Sequence, residues 1–333
     1  MSTPTRTLTL RVIELACRAP SVHNSQPWRW RVVDETTIEL YADRRRRLQV
    51  SDPSGRNLAL SCGAALHHGI VAARALGLTA AVDLMPSGGD QTLLGRISLS
   101  SGTRTDEAIE SLQALEERRT DRRRFTSWPV PGSRLTHLAK ASSGWGAFAI
   151  PITDVSARFR AEELLKRAMT IQAMDPRFAE EQREWIDPSR IPSRVEGIPL
   201  ANASPPANGR PLSRPNRFAS ASDAKATEAA DALRVVEDSD GLVAICSAAD
   251  DQQSWLEAGQ TLSALWLQAT HDGFSLVPLS QVVEVEETRQ SLHQDVFDSL
   301  ARPQILARIG WSEATRTPLG RSPRRPVDDV IEG

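Results

Sequence analysis

Three segments of the chain concentrate side chains suited to holding a small ligand that is aromatic at one end and anionic at the other. Residues 20–28 read Pro-Ser-Val-His-Asn-Ser-Gln-Pro-Trp. The two prolines restrict the backbone, so Ser21, His23, Asn24 and Gln26 present donors and acceptors with little freedom, as the polar edge of a heteroaromatic ring requires. The same composition also suits a helix-ending turn that spends its Ser and Asn on local backbone bonds. Residues 117–125 read Glu-Arg-Arg-Thr-Asp-Arg-Arg-Arg-Phe. There Arg118, Arg119, Thr120 and Arg122 combine bidentate charged donors with a neutral hydroxyl, which is phosphate-binding chemistry. A solvated basic helix end is the alternative. The third segment is the C-terminal tail, where Arg321, Arg324 and Arg325 alternate with Pro318, Pro323 and Pro326. It is too rich in proline for a helix, and is expected either to bring charge to the same phosphate or to be disordered. The run Arg44-Arg45-Arg46-Arg47 has neither hydroxyl nor glycine and reads as surface.

The elements that must position these groups follow from periodicity. Apolar residues at helical spacing over 8–19 stop at Pro20, which disfavours helix in the residue before it. Alternation at Trp28, Trp30 and Val32 predicts a strand, a second follows at 38–42, and the turn between them lies at 34–36. A long helix is expected over 53–76, closed by Gly77. Its Gly63, Ala64, Ala65, Gly69, Ala72 and Ala73 leave so little side chain that another backbone can approach closely. Strands at 79–84 and 95–100 and a charged helix over 106–119 complete this part.

The order strand, small-residue helix, glycine, strand, strand recurs at 242–247, 253–272, 273, 274–279 and 304–311. Leu60, Gly63, Leu66, Ala73 and Gly77 each match the same residue type 196 positions later, at Leu256, Gly259, Leu262, Ala269 and Gly273. About one such identity would be expected by chance at average residue usage. A duplication is therefore expected, with a first half over 1–128 and a second over 129–333, each small-residue helix packing on its own copy. Between them, residues 187–220 are rich in proline with little apolar periodicity, and are expected to form a lid.

Composition excludes several classes. The 333 residues are 40% hydrophobic and 25% charged with a formal net charge of −2, so whole-molecule electrostatics give no reason to expect nucleic acid or an anionic membrane as a partner. Cys17, Cys62 and Cys246 are widely spaced within apolar stretches and read as buried free thiols of a reducing compartment. With no secretory pattern at the start and no uninterrupted apolar span, a cytoplasmic protein is expected. There is no Gly-x-Gly-x-x-Gly after a strand, no P-loop and no Gly-x-Ser-x-Gly elbow, and His67-His68 lacks partners at metal spacing.

In this setting the segments resemble the nitroreductase-like flavoprotein family, most closely its actinobacterial dormancy-associated, Acg-type FMN-binding branch. Residues 20–28 are similar to the family's Pro-Ser-Ser-x-Asn-x-Gln-Pro-Trp loop, with Val22 at the second serine. Arg118-x-Thr120-x-Arg122 resembles its Arg-x-Ser-x-Arg/Lys phosphate motif, with one extra residue before Phe125. The stretch Pro278-Leu279-Ser280 resembles the segment whose backbone reaches the N5 side of the isoalloxazine. The resemblance implies an α+β, nitroreductase-like fold whose two tandem halves mimic a nitroreductase dimer within one chain. It also implies one FMN at the seam, held by Ser21, His23, Asn24, Gln26, Arg118, Arg119, Thr120, Arg122, Pro278, Leu279, Ser280, Arg321 and Arg324. The counterpart loop near 141–145 has lost the Asn and Gln-Pro, so a single site is expected. The implied activity is NAD(P)H-dependent reduction of a small-molecule acceptor with the chemistry on the flavin, NADH or NADPH being the reductant. The alternative is FMN storage beneath the lid, and a further one is an interaction protein binding some other phosphate.

Overall fold

The computed structural model describes residues 3–87, 90–186, 236–313 and 319–332. The expected lid at 187–220 lies outside them. Helix α1, Arg6–Ala16, starts at Thr5, whose hydroxyl accepts from the Leu8 amide. It ends short of the expected residue 19, and Ser21 is already extended. Strands β1, Trp28–Val32, and β2, Thr37–Ala42, pair antiparallel across a turn in which Asp34 Oδ1 accepts from the Thr36 amide at 2.8 Å. That local bond is what Asp contributes to a tight turn.

Helix α2, Arg56–Ala75, begins three residues later than expected, with Gly55 at φ +80° as its N-cap and Asp52 reaching its first turn. The Asp52 carboxylate accepts from the amides of Asn57 and Leu58 at 3.0 and 2.9 Å. Two of the otherwise unsatisfied N-terminal donors are thereby paired. Gly77, at φ +77°, turns the chain into β3, Leu78–Leu84, and β4, Leu93–Ser101. Helix α3, Asp106–Glu117, follows, capped by Thr105.

The second sheet is built from β5, Phe148–Pro151, β6, Gly241–Ser247, β7, Phe274–Leu279, and β8, Arg302–Trp311, in the order β5-β6-β8-β7, with all pairs antiparallel. Helices α4, Gly132–Ala141, α5, Val155–Met174, and α6, Pro176–Ile186, occupy a stretch in which no element was expected. Helix α7, Gln252–His271, precedes β7, and two short helices, α8, Gln281–Glu284, and α9, Glu286–Asp295, precede β8.

Helices α2 and α7 form the seam between the sheets. A Cβ added to Gly63 would stand 2.0 Å from the Leu256 carbonyl oxygen, and one added to Gly259 would stand 2.0 Å from that of Leu60. Both helices are buried over most of their length, including polar residues such as Asn57, Ser61, His67 and His68 of α2 and Gln260, Thr261 and Ser263 of α7. At the end of the seam Arg56 donates to Asp250 at 2.6 Å, and Arg289 pairs with the same carboxylate.

The C-terminal tail departs from the expected division of the chain at 128/129. It forms no helix over 319–326, as its prolines dictate, and then strand β9, Ile331–Glu332, pairs parallel with β1. The first sheet therefore has the order β3-β4-β2-β1-β9, its last strand supplied by the far end of the chain. Among the described residues, no helix is long and apolar enough to cross a membrane.

Candidate functional site

The loop after α1 is a single helical turn, Val22–Asn24, with unusual backbone geometry. His23, Asn24 and Gln26 have φ of 49°, 56° and 49°, in the left-handed region. Each such conformation costs about 1 kcal/mol or more outside glycine, and persists only when surrounding bonds over-determine it. Those bonds are present. Ser21 Oγ accepts from the Gln26 amide at 3.0 Å, the Val22 amide donates to Ser61 Oγ on α2 at 3.2 Å, and the Gln26 side-chain amide donates to the Asn24 carbonyl at 3.3 Å.

Arg46 Nη1 donates to the Ser25 carbonyl at 2.9 Å, so this arginine supports the loop. It belongs to the four-arginine run read as surface, and that reading is corrected here for Arg46. Nothing in the run distinguishes it from Arg45, which is exposed and paired with Asp43.

Residues 118–124 leave α3 in non-helical conformation, so the charged helix ends at Glu117 rather than Arg119. The segment is anchored at Phe125, which is buried against Gly310 and lies beneath the Arg308 guanidinium, 4.3 Å from its ring centroid. Arg123 is held by Asp121.

A cavity of about 390 Å³ opens where these pieces meet, lined by Ser21 and Asn24 from the loop, Arg118, Arg119, Thr120 and Arg122 from the segment after α3, and Arg321 and Arg324 from the tail. Eight of the expected site residues are thereby brought together from three distant parts of the sequence. His23 and Gln26 are buried beside them but do not line the cavity. Pro278, Leu279 and Ser280 are elsewhere. Pro278 pairs with Ala307 in the second sheet, Leu279 is in the core, and Ser280 starts α8.

The electrostatics of the cavity are those of an anion site. Arg118 is 6% exposed, its guanidinium lies 4.6 Å from the Trp266 ring, and Nη2 donates to the Arg18 carbonyl at 3.3 Å. Its Nε and Nη1 are buried without a hydrogen-bond partner among the described residues. Burial pushes its pKa down to about 9, and the neighbouring Arg324 and Arg119 push in the same direction. Arg119 spends Nη1 on the Glu116 and Arg118 carbonyls, its Nε is buried without a hydrogen-bond partner among the described residues, and burial followed by Arg321 and Arg18 lowers its pKa. Unpaired buried donors are costly and the repulsion between these arginines adds to that; an anion in the cavity would offset the repulsion.

Arg324 is engaged differently. Its guanidinium donates to the carbonyls of Cys17, Arg18 and Ala19 at 3.0, 3.1 and 3.2 Å. These carbonyls follow the C-terminus of α1, where a cation is favoured by the helix dipole. Burial lowers its pKa to about 10.

The paired histidines are packed inside the seam. Nδ1 of both His67 and His68 lies within hydrogen-bond distance of Ser263 Oγ, at 2.8 and 2.9 Å, and His67 meets the Trp145 ring edge-on at 4.5 Å. Cys17, Cys62 and Cys246 are buried and free.

No protein-family model matches the chain. It is 34% identical over 321 residues to the Mycobacterium tuberculosis protein named "Putative NAD(P)H nitroreductase Rv3131", spanning 96% of this chain and 90% of that one. To "Putative NAD(P)H nitroreductase acg" of the same organism it is 30% identical over 326 residues, spanning 96% and 93%. Among solved structures it is similar to the FMN-dependent nitroreductase NfnB from Mycobacterium smegmatis in complex with NADPH, at 14% identity and a TM-score of 0.45, covering 68% of this chain and 99% of that one. Identity at this level over nearly the full length of both mycobacterial proteins establishes kinship, and the chain belongs to their nitroreductase-like family.

Proposed function

We propose that this chain is an FMN-dependent NAD(P)H oxidoreductase with one flavin site, formed by the cavity between the loop after α1, the segment after α3 and the C-terminal tail. The observation that carries the proposal is Arg118. It has two buried unpartnered donors in a wall shared with Arg119, Thr120, Arg122 and Arg321, and Ser21 and Asn24 stand in the same lining. The donor set fits a ligand with a phosphate at one end and a polar ring edge at the other.

In this reading Arg118 and Arg119 hold the phosphate, with the Thr120 hydroxyl as a neutral donor, while Arg321 adds charge from the tail. Ser21 faces the remainder of the ligand, the Asn24 side chain is engaged by Arg324 and Pro323 of the tail, and His23 and Gln26 hold the loop in its left-handed geometry. Bound FMN would supply the hydride and electron chemistry between NADH or NADPH and a nitroaromatic, quinone or similar acceptor. The protein supplies binding and orientation.

The seam supports a second part of the same reading, that the chain is two fused, diverged copies of one unit doing within a monomer what two subunits do elsewhere. Gly63 meets Leu256 as Gly259 meets Leu60, and His67 meets Ser263, all pairs related by the 196-residue offset.

The deciding experiment is titration of the purified protein with FMN, followed by anaerobic stopped-flow mixing of the holoprotein with NADH and with NADPH. Uptake of FMN and prompt bleaching by either nucleotide is expected. A protein that takes up no FMN removes the cofactor assignment, and a stable holoprotein that neither nucleotide reduces removes the reductase activity.

A further inference from the structure

The polar groups of the loop beside the cavity grip the tail of the chain. Asn24 Oδ1 accepts from Arg324 Nη1 at 2.8 Å, and Asn24 Nδ2 donates to the Pro323 carbonyl at 3.0 Å. Gln26 Oε1 accepts from the Arg325 amide at 2.8 Å. Beyond them the Trp30 amide donates to the Val330 carbonyl at 2.7 Å, where β9 joins β1. Residues 319–332 thus form a strap across the end of α1 and the loop, held chiefly by polar contacts. Val330 is the one fully buried side chain in it. Val327 and Ile331 add partly buried apolar contact with the core, but the strap's apolar burial remains small, which places it toward the low-stability end of a fold, where elements open locally.

The strap also carries charge into a place that resists it. Docking places Arg321 and Arg324 in the same cavity lining as Arg118 and Arg119, with two Arg118 donors unpartnered among the described residues. Like charges in a partly buried cavity oppose docking, and an anion between them reverses the sign of that term. The same arginines from the strap attract the anion. Each event therefore favours the other, and thermodynamic linkage makes the coupling reciprocal.

We propose that residues 319–332 are an anion-coupled clasp, positioned by Asn24 and Gln26, whose docking and the binding of a phosphate group in the cavity stabilise one another. Asn24 and Gln26 are then positioning residues that act on the phosphate end through Arg324 and Arg325. The identity of the phosphate ligand as FMN rests on the function proposed above, whereas the coupling itself requires only a phosphate group.

Hydrogen–deuterium exchange on the full chain tests this, following amides 327–332 and Trp30 in the absence of anion, with inorganic phosphate and with FMN. FMN is expected to slow their exchange about 10-fold or more, with a smaller effect of phosphate. Asn24→Gly removes the side chain while tolerating the left-handed backbone. It should speed strap exchange and raise FMN dissociation about 10-fold, while leaving riboflavin, which has no phosphate, bound as before. Gln26→Gly makes the same test if the first variant does not fold.

Strap exchange that ignores FMN in a protein that binds it overturns the clasp and leaves the flavin site standing. An equal loss of riboflavin and FMN in Asn24→Gly also overturns it, because that result assigns Asn24 to the ring instead. If FMN does not bind but phosphate slows the strap, the clasp stands and the flavin assignment falls.

Discussion

Gly63 lies directly beneath the carbonyl oxygen of Leu256, so close that a β-carbon there would stand 2.0 Å from it. Because the obstacle is backbone, a local rotamer change cannot relieve the clash, and α2 and α7 must separate. Gly63→Ala is therefore expected to destabilise the protein by about 3 kcal/mol or more, the upper end for overpacking. Gly259→Ala should behave alike, since it meets Leu60 in the same way. The double variant should cost less than the two together, because one separation of the helices relieves both contacts. Denaturant unfolding of the three variants measures this.

Removing the phosphate donors should act on the phosphate alone. Arg118→Ala with Thr120→Ala is expected to weaken FMN binding by about 100-fold, as follows from losing charge-assisted and neutral bonds together. Riboflavin affinity should change little. Arg45→Ala, which removes an exposed guanidinium paired with Asp43, should leave both affinities as they were. Isothermal titration with the two flavins gives the four numbers. Equal FMN retention in both variants would remove the phosphate assignment.

The elements that proved easiest to read were those with strong periodicity and a marked end. Strand β7 appears at 274–279 as expected, and α2 and α7 lie within three residues of their apolar patterns. Their small-residue stripe correctly announced a close backbone approach, because few other uses of Gly63 and Gly259 suit a buried helix. What sequence could not show was partnership at long range. Arg324 looked like a phosphate ligand, but its donors are spent on the carbonyls of 17–19 after the end of α1, 305 to 307 residues away along the chain. Arg46 looked like surface because the contact that ties it to the loop is with the Ser25 carbonyl, and a backbone acceptor leaves no mark on composition. Helices α5 and α6 were missed because many of their residues are charged or exposed and their apolar faces are narrow.

Helix α6 depends on one carboxylate. Glu181, 8% exposed, accepts from the amides of Val50 and Ser51 at 2.8 and 2.9 Å and from Ser51 Oγ at 2.7 Å, so an acid of α6 closes the turn that precedes α2. Glu181→Ala leaves those donors unpaired and should cost about 2–3 kcal/mol locally, in the range for bonds to a charged group. Limited proteolysis should then cut within 176–186 at least 10 times faster, while near-UV circular dichroism from the core tryptophans stays unchanged. Unaltered cleavage would show that α6 is held by its packing on α5 instead.

Acid stability should be set by the histidine pair at the seam. Burial, with Arg74 adding to it, pushes the His67 pKa down to about 3; burial first, then Arg118, His67 and Arg324, push that of His68 well below its ordinary value. Both are neutral in the fold, whereas the unfolded chain takes up protons near pH 6.5, so their contribution is intact above pH 6.5 and is lost as the pH falls below it. For His67 alone the loss approaches about 5 kcal/mol by pH 3. Asp52 opposes this. Burial raises its pKa to about 6, against which the Asn57 and Leu58 amides work. The folded state therefore binds a proton that the unfolded state releases until about pH 4, a gain of at most about 3 kcal/mol on acidification. Two histidines outweigh one carboxyl, so net stability should fall between pH 6.5 and 4. His67→Gln should flatten that fall and Asp52→Asn should steepen it. Urea midpoints at half-unit pH steps decide the matter, and a wild-type curve that is flat across this window would show that the two histidines do not control acid stability.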